Sequence, residues 1–233
     1  MLSEIDLARL TGFLFLFVLA TSFAGSALAG AAISVTISTE DPDEVAGMLR
    51  KVAKNPGKQR ASVIFNLLSQ LGVIALAGTL FLTFSPYNLL LALLGTLWRV
   101  AEGVILASVE INNLVLLGVA QAFVSADGAE GVALETMGRA TRMRAKGGFT
   151  IGVMFFALGS LMYGILFVSS IAVPLWLGWL GVVSSTLVLA VMWLSLARSR
   201  LSSRLMYVAV TIILYELALG FWLLLRGAAG VSP

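Results

Sequence analysis

Six long apolar segments, separated by short hydrophilic connections, constrain the fold of this chain more than any other feature of its sequence. They cover about residues 10–37, 61–84, 86–123, 147–169, 175–196 and 205–225. A run of about 20 apolar residues is long enough to cross a bilayer as a helix, and a helix satisfies its own backbone hydrogen bonds in lipid. The sequence therefore predicts an all-α, polytopic transmembrane helical bundle of six spans. We expect residues 1–233 to form one transmembrane domain of a multi-pass protein in the cell membrane.

The composition supports this class and excludes several kinds of chemistry. Of the 233 residues, 59% are apolar and 12% are charged, about half the charged fraction of an ordinary soluble domain. The chain has no cysteine and no histidine, which excludes disulfides, imidazole or thiolate metal sites and Ser-His or Cys-His catalysis. We expect no cofactor. We also expect no nucleic-acid partner, because the basic residues lie in the connections, where they act as topology signals. The lipid bilayer is the expected partner, with a small ligand or other membrane helices as further candidates.

The segment 86–123 differs from the others because it carries several ionisable groups. At 100° per residue its polar and small side chains fall on one stripe. The stripe contains Asn88, Gly95, Arg99, Glu102, Gly103, Glu110, Asn113 and Gln121. Since the remaining faces are aliphatic, the stripe is expected to face other helices rather than lipid.

Glu216, near the middle of the sixth segment, needs a partner from another helix, and Arg99 is the obvious candidate. Arg99 is expected about 20 Å from the outer membrane face, and Glu216 about 18 Å from the cytoplasmic face. In a hydrocarbon core of about 30 Å the two residues then lie within about 10 Å of the same depth, a gap that an arginine side chain can largely close. A group of Arg99, Glu102 and Glu216 has two carboxyls for one guanidinium, and it either keeps one carboxyl protonated or holds a cation. The candidate buried polar site is therefore Arg99, Glu102, Glu110, Asn113 and Glu216. The alternative is that these charges only fix the helix packing.

The distribution of basic residues predicts the orientation. Twelve of the 15 Lys and Arg residues lie in the first, third and fifth connections. They are Arg50, Lys51, Lys54, Lys58, Arg60, Arg139, Arg142, Arg144, Lys146, Arg198, Arg200 and Arg204. By the positive-inside rule these connections are cytoplasmic, and both termini lie outside.

One or two cytoplasmic surface helices are expected in the longer connections. Asp41-Pro42-Asp43-Glu44 has the form of a helix start, and Val45, Met48, Leu49 and Val52 repeat on one face of residues 43–54. This helix either lies on the membrane surface or packs on the bundle, and the sequence leaves both open. A second surface helix is plausible in the connection 125–146, where Asp127 and Glu130 have capping-box spacing.

Four stretches together resemble an uncharacterised bacterial membrane family, the domain of unknown function 4386. They are the run from Leu97 to Glu102, the run from Gly152 to Gly159, the turn from Pro174 to Gly178 and the last-helix run from Tyr215 to Gly227. The resemblance covers nearly the whole chain in order and implies a helical protein of the bacterial inner membrane. It also implies that Arg99 and Glu216 are recurrent family positions. A histidine-containing stretch found in that family before the fourth helix has no histidine here.

Three classes of function remain after these observations. The polar stripe favours a small membrane transporter or ligand-binding protein, because ionisable residues inside membranes usually line sites or pathways. The absence of a recognisable motif and the ridges of small residues favour a non-enzymatic assembly or regulatory subunit. An intramembrane enzyme is the third class, but only carboxylate or serine chemistry is available to it, and no nucleophile and base have suitable spacing.

Overall fold

The computed structural model describes residues 4–29, 42–170, 172–197 and 205–227. Three features of the sequence prediction lie outside these residues. They are the end of the first apolar segment after residue 29, the capping Asp41, and the three arginines of the fifth connection.

Within the described residues the regular structure is entirely helical, in agreement with the predicted all-α class. The helices are α1 (Glu4–Ala29), α2 (Pro42–Lys54), α3 (Pro56–Phe84), α4 (Leu89–Ser125), α5 (Gly128–Ser170), α6 (Leu175–Ala197) and α7 (Leu205–Arg226). Of these, α1, α3, α4, α5 and α6 are long and apolar enough to cross a membrane. The helices therefore fit a multi-pass membrane protein, with five candidate spans among the described residues.

Helix α5 differs from its prediction. A surface helix followed by a separate span beginning at Gly147 was expected, but α5 continues through residues 146–148 as one helix of 43 residues. Glycine inside a helix costs about 1 kcal/mol relative to alanine, which is too little to interrupt a long helix held by its neighbours. Gly148 also has a packing role, because a Cβ atom there would lie 2.8 Å from Cγ2 of Val109.

Helix α2 is present as predicted, and its apolar face packs on protein. Val45, Met48, Leu49 and Val52 are fully buried. They form one cluster with residues near the end of α4: Leu116, Leu117, Val119 and Ala120. Of the two readings that the sequence left open, packing on the bundle is therefore the one that the structure supports.

The chain divides into two compact units. The first unit contains the described residues within 1–20, 69–104 and 151–233, and the second those within 21–68 and 105–150. The core of the first unit contains large aliphatic and aromatic side chains, among them Leu80, Phe84, Phe167 and Leu177. In that core the Phe84 and Phe167 rings pack edge to face, with their centroids 4.8 Å apart. The cluster that includes α2 is a core of the second unit.

Candidate functional site

The polar stripe of α4 turns away from solvent, as its periodicity predicted. Arg99 is 2% exposed, Glu102 5% and Glu110 6%. The opposite face of α4 is apolar and exposed, with side chains seven residues apart at Leu90, Leu97, Val104 and Ile111. Exposed aliphatic side chains on a helix of this length are suited to lipid.

The two ends of the stripe behave differently from its middle. Asn88 and Gln121 are exposed. Asn88 precedes the first residue of α4, and its Oδ1 accepts a hydrogen bond from the Leu91 backbone N–H at 3.0 Å. It is an N-cap, which satisfies one of the free backbone N–H groups at the helix start.

Arg99 forms ion pairs with two buried carboxylates in the first unit. Its Nη1 lies 3.1 Å from Oε2 of Glu102 on the next turn of α4, and its Nη2 lies 3.6 Å from Oε1 of Glu216 on α7. The expected pairing of Arg99 with Glu216 is thus present, and Glu216 is 7% exposed. We call Arg99, Glu102 and Glu216 the Arg99 centre.

The contact between Arg99 and Glu102 is short but does not have the geometry of a hydrogen bond. Arg99 Nη1 and Glu102 Oε2 are both buried, and neither makes a hydrogen bond within the described residues. Buried polar atoms in folded proteins are almost always hydrogen-bonded, to protein or to a bound water or ion. These two atoms contact each other in the ion pair and have no further hydrogen-bond partner among the described residues.

Helix α5 supplies the wall against which Arg99 packs. The guanidinium carbon of Arg99 lies 4.9 Å from the centroid of the Phe156 ring, which is cation–π geometry. One turn on, Gly159 leaves room for the arginine stem, because a Cβ atom there would lie 2.8 Å from Arg99 Cγ. The side chain of Arg99 is thus held along its whole length.

A pair of hydroxyl groups lies one turn before Arg99. The hydroxyls of Thr96 and Tyr163 are 2.7 Å apart, and both lie within hydrogen-bond distance of the Ala92 carbonyl oxygen. The Tyr163 ring approaches α4 closely, since a Cβ atom on Gly95 would lie 2.7 Å from its Cε2. Small residues on α4 and α5 therefore allow the two helices to approach at this level.

Glu110 belongs to a different cluster, in the second unit. Its Oε1 accepts a hydrogen bond from the Asn66 amide at 3.1 Å, and its Oε2 accepts one from the Asn113 amide at 3.0 Å. We call Glu110, Asn66 and Asn113 the amide cluster. Asn113 Oδ1 is buried and makes no hydrogen bond within the described residues.

The five candidate residues predicted from the sequence are therefore divided between two groups. Arg99, Glu102 and Glu216 come together, whereas Glu110 and Asn113 lie in the amide cluster. Three residues of these groups were not predicted from the sequence as part of the site: Asn66, Phe156 and Gly159. A signal existed for Asn66, since a polar side chain within an apolar span usually has a polar partner.

The described residues contain no group of three His, Cys, Asp or Glu side chains that could hold a metal ion. A site for a divalent or transition metal normally uses several such ligands. The chemistry available in the two groups is that of carboxylates, amides and one guanidinium. Such groups bind protons, monovalent cations or small polar ligands.

Long apolar helices with ionisable side chains on buried faces are the features of a polytopic helical membrane protein. A family model matches nearly the whole chain: Domain of unknown function (DUF4386) matches residues 10–227. The chain belongs to this family. No curated protein and no solved structure matches it.

Proposed function

We propose that this protein is a small membrane transporter that binds a proton or a monovalent cation at the Arg99 centre. The observation that carries the proposal is the excess of one carboxylate over guanidinium in a site where two polar atoms lack hydrogen bonds. A net charge in a low-dielectric interior is costly unless it is neutralised. A bound proton or a monovalent cation would supply the missing positive charge.

The position of the three charges is suited to transport. Ionisable side chains inside membrane helices are rare and usually mark substrate or proton pathways. Arg99 and Glu102 lie on α4, and Glu216 lies on α7, so a small displacement of one helix would change the distance between the charges. A change in that distance would alter the affinity of the centre for a cation.

The proposal is tested by measuring ion flux into vesicles that contain the purified protein. The vesicles hold a dye sensitive to protons or to sodium, and a gradient of the same ion is imposed across the membrane. The wild-type protein is expected to give flux above that of protein-free vesicles. Glu102→Gln and Glu216→Gln are each expected to reduce this flux at least about a hundredfold, a loss typical of removing a group that takes part in proton transfer. Glu130→Gln, at an exposed position in the first turn of α5, is the matched control.

An absence of flux for the wild-type protein with both ions would contradict transport. The second candidate function would then stand: a non-enzymatic assembly or regulatory subunit in which the charges fix the helix packing. The close fit of Arg99 between Phe156 and Gly159 favours that alternative. Double mutants, described in the Discussion, separate the two functions.

We further propose that the chain forms one domain of six spans, with α7 as the sixth and both termini outside. Support comes from the family match, which extends across both compact units, and from the clustering of basic residues in alternate connections.

Single cysteines at Asn55, Ala140 and Ser199 are expected to resist an impermeant thiol reagent in intact cells, because these positions face the cytoplasm. A cysteine at Ser85 should react. The native chain has no cysteine to interfere. Labelling at Asn55, Ala140 and Ser199 would contradict the proposed orientation and indicate the opposite one.

A further inference from the structure

The amide cluster contains a buried carboxylate whose contacts are neutral. Both oxygens of Glu110 accept hydrogen bonds from side-chain amides, and no ion pair to Glu110 is found among the described residues. An amide donor stabilises a carboxylate but does not neutralise it. A cation that binds beside a buried carboxylate with no cationic partner therefore removes the cost of an unpaired buried charge.

The orphaned oxygen of Asn113 points to the same conclusion. Asn113 Oδ1 is buried and has no hydrogen-bond donor, although its amide nitrogen donates to Glu110. A rotation of this amide by half a turn would exchange the two atoms and turn Oδ1 toward the carboxylate. The rotation gives up the hydrogen bond from the Asn113 amide nitrogen to Glu110, and it breaks none at Oδ1 within the described residues.

Asn66 is placed on the other oxygen of Glu110 by a close approach of helices. A Cβ atom on Gly25 would overlap the Asn66 side-chain oxygen, so that glycine in α1 is what leaves room for the amide. The same rotation at Asn66 would bring a second amide oxygen toward Glu110. Both amide oxygens would then face the Glu110 carboxylate, in place of the two hydrogen bonds that the amides now donate to it.

We infer that Glu110, Asn66 and Asn113 form a binding site for a monovalent metal cation, with sodium as the probe. Hard cations prefer oxygen ligands from carboxylates and amides. One carboxylate balances one positive charge, whereas a divalent cation would leave an uncompensated charge in the interior. This inference goes beyond the proposed function, because it uses residues of the second unit and needs no part of the Arg99 centre.

The test measures the melting temperature of the full-length protein in detergent as a function of sodium concentration. N-methylglucamine replaces sodium so that the ionic strength stays constant. A cation that binds only the folded protein raises the melting temperature as its concentration rises above the dissociation constant. We expect this rise in the wild-type protein and its loss in Glu110→Gln.

Two neighbouring asparagines provide a matched pair. Asn113→Ala removes one proposed ligand and is expected to move the sodium dependence to about tenfold higher concentration, typical for the loss of one partner in a metal site. Asn112→Ala is the control, because the Asn112 amide donates to the Ser108 carbonyl of its own helix at 3.3 Å. It should leave the sodium dependence unchanged.

A gain-of-function variant keeps the inference testable if Glu110→Gln does not fold. Asn113→Asp adds a second carboxylate and is expected to transfer the stabilisation from sodium to calcium, since two negative charges suit a divalent cation. Stabilisation by sodium that survives in both Glu110→Gln and Asn113→Ala would overturn the site. So would the absence of any sodium effect in the wild-type protein.

The sodium dependence of the melting temperature must also be measured for a variant of the Arg99 centre. Glu216→Gln is expected to retain the sodium effect. If Glu216→Gln abolishes it and Glu110→Gln does not, sodium binds at the Arg99 centre, which contradicts the amide-cluster site and supports the proposed function. If flux into vesicles is absent while the sodium effect depends on Glu110, the proposed function fails and this site stands.

Discussion

Arg99→Leu is expected to lower the free energy of unfolding of the purified protein by about 3–5 kcal/mol, the cost of leaving buried charges without their partner. The substitution removes the guanidinium that both Glu102 and Glu216 contact, so two buried carboxylates lose their counter-ion together. Glu216→Gln should cost less, because Arg99 keeps its closer contact with Glu102 at 3.1 Å. Thermal unfolding in detergent measures both effects.

The double variant Arg99→Leu with Glu216→Leu is expected to recover part of the lost stability, because Glu102 remains buried without its counter-ion. Replacing both members of a buried ion pair by apolar side chains of similar size is often close to neutral, because their desolvation cost disappears with their attraction. Glu130→Gln, at an exposed position, should change stability by less than about 0.5 kcal/mol. If the two single effects simply add in the double variant, Arg99 and Glu216 are not energetically coupled.

The same double variant separates the two candidate functions. If the protein is an assembly or regulatory subunit whose charges only fix helix packing, stability should return in part and neither the wild-type protein nor the double variant should give ion flux into vesicles. If the charges bind the transported ion, stability should return in part while flux stays absent. The comparison rests on measuring both quantities in one preparation.

The sequence was sufficient to predict the helical class and the buried stripe of α4. Its ionisable residues are separated by helical intervals within an otherwise aliphatic segment, so desolvation alone requires that Arg99, Glu102 and Glu110 face protein. The pairing of Arg99 with Glu216 followed from depth arithmetic and from the scarcity of other buried charges. These arguments depend on local periodicity and on charge, which the sequence displays directly.

The division of the stripe between two groups could not be predicted in the same way. Glu110 and Asn113 share a helical face with Arg99, and no local signal shows which neighbouring helix covers each turn of a 37-residue helix. Helix contacts depend on where small residues admit another backbone, as at Gly25 beside Asn66. The continuity of α5 was missed because the hydrophilic segment 125–146 was interpreted as a connection that ends where the apolar span begins at Gly147.

The close approach of α1 to α7 in the first unit leads to the second prediction of a large change in the free energy of unfolding. A Cβ atom on Gly12 would overlap the Leu224 backbone nitrogen and lie 2.6 Å from the Gly220 carbonyl oxygen. Backbone atoms cannot move aside as a flexible side chain can, so one helix must be displaced. Gly12→Val is therefore expected to reduce the free energy of unfolding by about 3 kcal/mol, at the upper end of overpacking costs.

Gly78→Ala is the control for this prediction, because a Cβ atom on Gly78 meets nothing within 4 Å. Alanine is favoured over glycine in a helix by about 1 kcal/mol, so the control should be neutral or slightly stabilising. Thermal unfolding in detergent measures both variants. Equal stability of Gly12→Val and Gly78→Ala would mean that α1 and α7 do not approach at Gly12. A large loss at Gly12 alone would show that the α1 and α7 backbones approach closely at Gly12, as at the Gly220 carbonyl oxygen.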